Sequence, residues 1–214
     1  TAIRVVSKDL TIIASGACGG GYYGLLQLDA RTFDDPAILY SFHTYEPHEF
    51  THQGYGDKLH LAGLPWPATD RSATEVEEIT RAGMSAAGLS APEQAAAMIS
   101  LEPMLEQYYA KGAGPQQLEK SLADILVWAD DQGIAHDRLF IGEFGATQFR
   151  PGQGGALEQD RLRYLQAVRT LAEQHGIAWS MWEYSNPHGM SLIAPEGRAI
   201  PDLSTLRALG LPQD

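Results

Sequence analysis

The chain has 214 residues, 44% of them hydrophobic and 20% charged, with a formal net charge of −12. That length supports one medium domain with a good core and disfavours two, and no segment is long and apolar enough to span a membrane. The acidic balance excludes nucleic acid and anionic membrane surfaces as natural partners, because phosphate recognition needs clustered Lys and Arg.

In chain order, Asp9 to Gly16 reads as a short buried strand ending in glycine. A glycine-rich stretch from Gly16 to Gly24 follows, holding Cys18, Gly19-Gly20-Gly21 and the pair Tyr22-Tyr23. It lacks the Gly-Lys-Ser/Thr ending of a phosphate loop, and its tyrosines read as packing or groove-lining aromatics. As the single cysteine, Cys18 excludes an internal disulfide. No basic-then-apolar leader follows Thr1, so an export signal is expected to be absent or already removed.

Pro36 to Phe42 is the second strand, and it delivers His43, Thr44, Tyr45 and Glu46 at its carboxyl end. From Glu46 to about Arg71 no helical period is visible, which predicts a long functional loop. Helices then dominate. One runs over Ser72–Ala87, and a second opens at the Ser90-x-x-Glu93 capping box and reaches about Lys111, with Pro103 expected to kink or interrupt it. A third carries Leu118, Leu122, Ile125 and Ala129 at helical spacing and stops near Gly133.

Leu139-Phe140-Ile141-Gly142-Glu143 is the third strand, and its apolar run ends in one carboxylate set between glycines. In parallel α/β proteins the chemistry gathers at the carboxyl ends of strands, so Glu143 is either a site residue or a simple turn cap. A helix over Leu157–His175, a fourth strand over Ile177–Glu183 and a last helix over Asp202–Leu209 complete the chain. Strands alternating with helices predict a parallel sheet. Four such units make half of a (β/α)8 barrel, which needs eight.

His48-Glu49-Phe50-Thr51-His52 matches H-E-x-x-H, the zinc-protease pattern, in which a helix puts two histidines on one face and the glutamate activates a metal-bound water. Pro47 before it and Gln53-Gly54-Tyr55-Gly56 after it argue against the necessary helix. The bland alternative is a polar loop with two histidines.

The strand-end residues His43, Tyr45, Glu143 and Trp182 carry a resemblance. Tyr40 to Pro47, Phe50-Thr51-His52-Gln53-Gly54, Leu64-Pro65-Trp66-Pro67, Ile141 to Ala146 and Trp182-Glu183-Tyr184 together resemble glycoside hydrolase family 5, the cellulase family, in its order and over nearly the whole chain. The resemblance implies strands five to eight of the barrel, with Glu143 as catalytic nucleophile of a retaining β-glucanase. It implies His43 and Tyr45 as the pair orienting Glu143, Trp182 as the aromatic platform under the sugar, and Trp66 as either a further platform or packing. It implies no metal or organic cofactor, a β-glucan ligand, and a secreted or periplasmic location. A retaining enzyme needs a second carboxylate roughly 5 Å from the nucleophile. The family places it in Asn-Glu-Pro, a motif this sequence does not contain. The reading therefore calls for self-association or a complementary amino-terminal half. Its alternative is a non-catalytic glucan-binding half-barrel.

Overall fold

A computed structural model describes residues 2–186, 189–194 and 200–213. The chain forms two compact units: residues 1–44, 120–143 and 171–180, and residues 45–119, 144–170 and 181–214.

The first unit carries the sheet. Strands β1 (Ile12–Ser15), β2 (Ile38–His43), β3 (Leu139–Glu143) and β4 (Ala178–Trp179) lie in that spatial order, all neighbours parallel. Sequential order with parallel pairing is what right-handed strand–helix–strand connections produce, and it matches the predicted half-barrel topology. β2 is the best-covered strand, with Ile38, Tyr40 and Phe42 buried, and β3 buries Leu139 and Ile141. β1 alternates half-buried with exposed positions, and Ile13 is 57% exposed. Two short helices belong here, α1 (Ala2–Val6) and α2 (Tyr22–Leu26). Trp128 seals one side of the sheet, edge-on to Tyr40 at 5.8 Å, with its indole donating to Leu28 O.

The second unit is helical and loop-rich. The loop expected from Glu46 to Arg71 contains one helical turn, α3 (His48–Thr51), and two 3-10 turns at Gly56–Lys58 and Ala68–Asp70. Helix α4 (Ala73–Ala86) starts at a complete Ser72/Glu75 capping box, and α5 (Ala91–Lys111) at one formed by Ser90 and Glu93.

The expected break at Pro103 does not occur, since α5 is continuous through it. Met98, Leu101, Leu105 and Tyr108 anchor the buried stripe, while Pro103 and Ile99, whose carbonyl loses its partner, lie on the exposed face. Helices α6 (Pro115–Gln132) and α7 (Glu158–Gln174) follow in the chain, and α8 (Leu203–Ala208) is capped by Asp202.

The fourth strand is shorter than its pattern predicts. Ser180 N still donates to Ile141 O, and Trp182 N to Phe144 O just past the end of β3, but Glu183 N donates to Met190 O instead. Trp182 therefore stands beyond the strand, in a segment with a cis Trp182–Glu183 peptide.

Candidate active site

The hydrophobic pattern fixes the register of β2 against β3, and that register sets His43 beside Glu143, with an irregularity between Phe42 and His43. Thr44 N donates to Glu143 O at 2.9 Å and locks the two strand ends together. The consequence is a His43 Nδ1–Glu143 Oε2 contact of 3.4 Å, with both side chains about one-quarter exposed at 23% and 25%. An imidazole nitrogen this close can hold one carboxylate oxygen in place.

Two glycines set the imidazole's plane. A Cβ added to Gly20 would lie 2.8 Å from His43 Cε1, and one added to Gly142 would lie 3.2 Å from His43 Cδ2 and 2.5 Å from Ser41 Oγ. Gly20 also has φ +81, a conformation that costs glycine little. Ser180 Oγ donates to Gly142 O at 2.6 Å, pinning the peptide next to Glu143. The glycine-rich stretch is therefore a close-packing surface for a histidine. Its signal in the sequence was the run of glycines itself, but nothing there identified the partner.

In the second unit, Tyr45 meets His52 edge-on at 5.1 Å, and His52 stacks on His48 with ring centroids 3.8 Å apart and 16° between planes. Thr51 Oγ1 donates to Tyr45 O at 2.6 Å and also contacts His52 Nδ1 at 2.9 Å. Since the hydroxyl proton serves Tyr45, His52 must donate from Nδ1, which leaves its Nε2 as an acceptor. Burial, with His48 and Lys58 adding to it, pulls His52 down to about 3, so it is neutral at physiological pH. Glu46, whose carboxylate accepts from Tyr45 N at 3.1 Å, is raised above the usual carboxylate range by burial.

This geometry also decides the H-E-x-x-H match. The helix expected to be missing exists, but it is one turn long. Its histidines stack face to face, and Glu49 pairs with Lys111 at 2.9 Å. Two stacked rings present their faces to each other, whereas shared ligation requires ring nitrogens converging on one point. Among the described residues no group of three or more His, Cys, Asp or Glu is placed to hold a metal ion.

The two tryptophans part company. Trp182 is 41% exposed. Trp66 is 1% exposed and packs edge-on against Tyr164 at 5.6 Å. Of the platform and packing roles open for Trp66, its surroundings are those of packing, because an enclosed indole offers no face for a sugar ring.

A central hub in this unit was not anticipated. Arg161, 1% exposed, donates to Ala146 O at 2.9 Å, Thr205 Oγ1 at 2.6 Å and Ser191 O at 3.1 Å, and lies 3.6 Å from Asp202. Burial lowers it to about 10, opposed by Asp202 and Glu158, so it remains charged at neutral pH.

A parallel sheet presenting a carboxylate and an imidazole at its carboxyl edge has the architecture of barrel enzymes that work at their strand ends. Residues 1–188 match the family model for cellulase, glycosyl hydrolase family 5, and the chain belongs to that family. Endoglucanase 3 of Fibrobacter succinogenes is 29% identical over 213 residues, covering 98% of this chain and 28% of the relative.

Among solved structures, the cellulose synthase subunit Z of Clostridioides difficile is similar with a TM-score of 0.63 and 24% identity. The endoglucanase Cel5A of Thermotoga maritima has a TM-score of 0.59 and 22% identity. The alignments cover 97% of this chain but only 51% and 50% of those two structures. The chain thus spans about half the length of the solved relatives it matches, and less of the curated one.

Proposed function

We propose that the chain supplies the nucleophile side of a retaining endo-β-1,4-glucanase. The observation that carries this reading is the His43–Glu143 contact, 3.4 Å across adjacent parallel strand ends, in a chain of the cellulase family. Glu143 attacks the anomeric carbon and the glycosidic C–O bond breaks, leaving a glycosyl ester on the carboxylate. His43 holds one carboxylate oxygen. Tyr45 assists in orienting the nucleophile, and Trp182 offers its exposed face to the sugar, both roles resting on the family resemblance. Trp66 is reassigned as a support for the loop, whose Trp66 O accepts from Arg163 at 3.0 Å.

The acid/base carboxylate comes from outside these 214 residues, from a complementary half or a second copy. The openness of β1, with Ile13 57% exposed, supports a further covering segment, since parallel sheets are normally buried on both faces. A secreted or periplasmic location follows from an extracellular polysaccharide as substrate; among the described residues no helix is long and apolar enough to cross a membrane.

The test is covalent trapping with a 2-deoxy-2-fluoro-β-cellobioside bearing a dinitrophenolate leaving group, which departs without acid assistance. Intact-mass analysis is expected to show one added fluorocellobiosyl group, mapped to Glu143 and absent from Glu143→Gln. A folded chain that binds cellobiose but is never labelled would instead favour the non-catalytic glucan-binding reading. The exposed Trp182 and Tyr184, 41% and 68% accessible, suit that alternative.

A further inference from the structure

A cavity of about 400 Å3 lies within the second unit, lined among others by Gln148, Phe149, Leu157, Glu158, Arg161 and Asp202. Its size falls among ordinary small-molecule sites, about 300–1,000 Å3. No role given to the family residues above uses it.

Its lining combines two kinds of surface. Phe149, 38% exposed, gives an aromatic face, and Ala156, Leu157 and Ala194 continue the apolar wall. Facing these are planar polar groups: one amide, two carboxylates and one guanidinium. The amide is fixed, since Gln148 Nε2 donates to Asp202 Oδ2 at 2.9 Å, while Gln148 Oε1 is enclosed without a hydrogen-bond partner. A buried acceptor left unpaired costs about 1–3 kcal/mol, so the cavity favours a ligand that brings hydroxyl donors.

Anions fit poorly beside Glu158 and Asp202, because Arg161, the one cation among the described lining residues, already serves Ala146 O, Thr205 Oγ1 and Ser191 O. The remaining chemistry is a neutral ring with apolar C–H faces and an equatorial rim of hydroxyls.

We propose that this cavity is a second carbohydrate site, taking one terminal pyranose ring of a β-glucan against Phe149. It rests on the reading above only for the identity of the glycan. The ring's face lies on Phe149, and its hydroxyls donate to Gln148 Oε1 and Glu158.

The test is an NMR titration of the 214-residue chain with cellobiose. It follows the Gln148 side-chain amide and the Arg161 Nε–H, with the His43 imidazole as an independent probe of the strand-end site. The expected result is saturable shifts at Gln148 and Arg161. Phe149→Ala should weaken them roughly tenfold, the size of one lost aromatic contact, with the His43 curve unmoved and Phe149→Trp restoring affinity. Shifts at His43 alone would overturn the cavity site and leave the proposed function standing. No shift at either place would overturn the cavity site and count against the glucan reading as well. Shifts with calcium chloride but not cellobiose, or cellobiose shifts unaffected by Phe149→Ala, would also overturn it.

Discussion

The strand ends of the first unit and the loops of the second hold their candidate site residues by different means. His43 and Glu143 are placed by backbone: sheet register, the Thr44–Glu143 hydrogen bond and the close approach of Gly20 and Gly142. Tyr45, His52 and Trp66 are placed by side chains. Thr51 ties Tyr45 to His52, Gln53 bonds Phe50 O and Leu64 at both ends of its amide, and Arg163 holds Trp66 O. Backbone positioning leaves the His43 and Glu143 side chains about one-quarter exposed. Side-chain positioning encloses Trp66 and leaves Tyr45 and His52 half-buried.

The difference should appear most strongly when each kind of support is broken. Removing the buried cation by Arg161→Met takes the donor from Ala146 O, Thr205 Oγ1 and Ser191 O and the countercharge from Asp202, and is expected to cost about 3–5 kcal/mol in urea unfolding. Arg161→Lys should recover little of this, because an ammonium cannot reproduce the guanidinium fork. A variant as stable as the parent would mean the hub contributes nothing.

In the first unit the comparable break is Gly142→Ala, whose Cβ would sit 2.5 Å from Ser41 Oγ. Such overpacking should cost about 1–3 kcal/mol and should slow labelling at Glu143 by displacing His43, as thermal melts and the trapping rate would show. Next comes Thr51→Val, which deletes the hydroxyl shared by Tyr45 and His52. A loss of about 1–2 kcal/mol is expected, with labelling less affected than in Gly142→Ala.

The smallest predicted effect is a pH slope. His52 has a folded pKa of about 3 against an ordinary 6.5. Between those values the unfolded chain carries the proton and the folded chain does not, so stability is fully present above about pH 6.5 and is lost as pH falls toward 3. Its contribution is a slope of at most about 1.4 kcal/mol per pH unit, reduced by partial solvent access. His52→Phe, which keeps a ring in the stack, should flatten that part of the curve, and an unchanged slope would show that His52 is not held neutral.

The same division explains what was legible in the sequence. β2 and β3 announced themselves because apolar runs ending in His43 and Glu143 dictate both burial and register. Strand β4 is shorter than the largely apolar run from Ile177 to Trp182 suggests, because beyond Ser180 the backbone pairs with Phe144 O and Met190 O, partners that an apolar run does not specify. Pro103 misled because its break in the ladder falls on the exposed face of α5, where the buried stripe outweighs it. The roles of Gly20 and Trp66 were hidden for a common reason: a glycine's partner and an indole's burial are set by segments far away in the chain.

The most direct test of the central claim is the mass of the chain after incubation with the activated 2-fluorocellobioside. A single added fluorocellobiosyl group is expected on Glu143, formed more slowly in His43→Ala and not at all in Glu143→Gln. A label on any other residue, or equal labelling of Glu143→Gln, would contradict it.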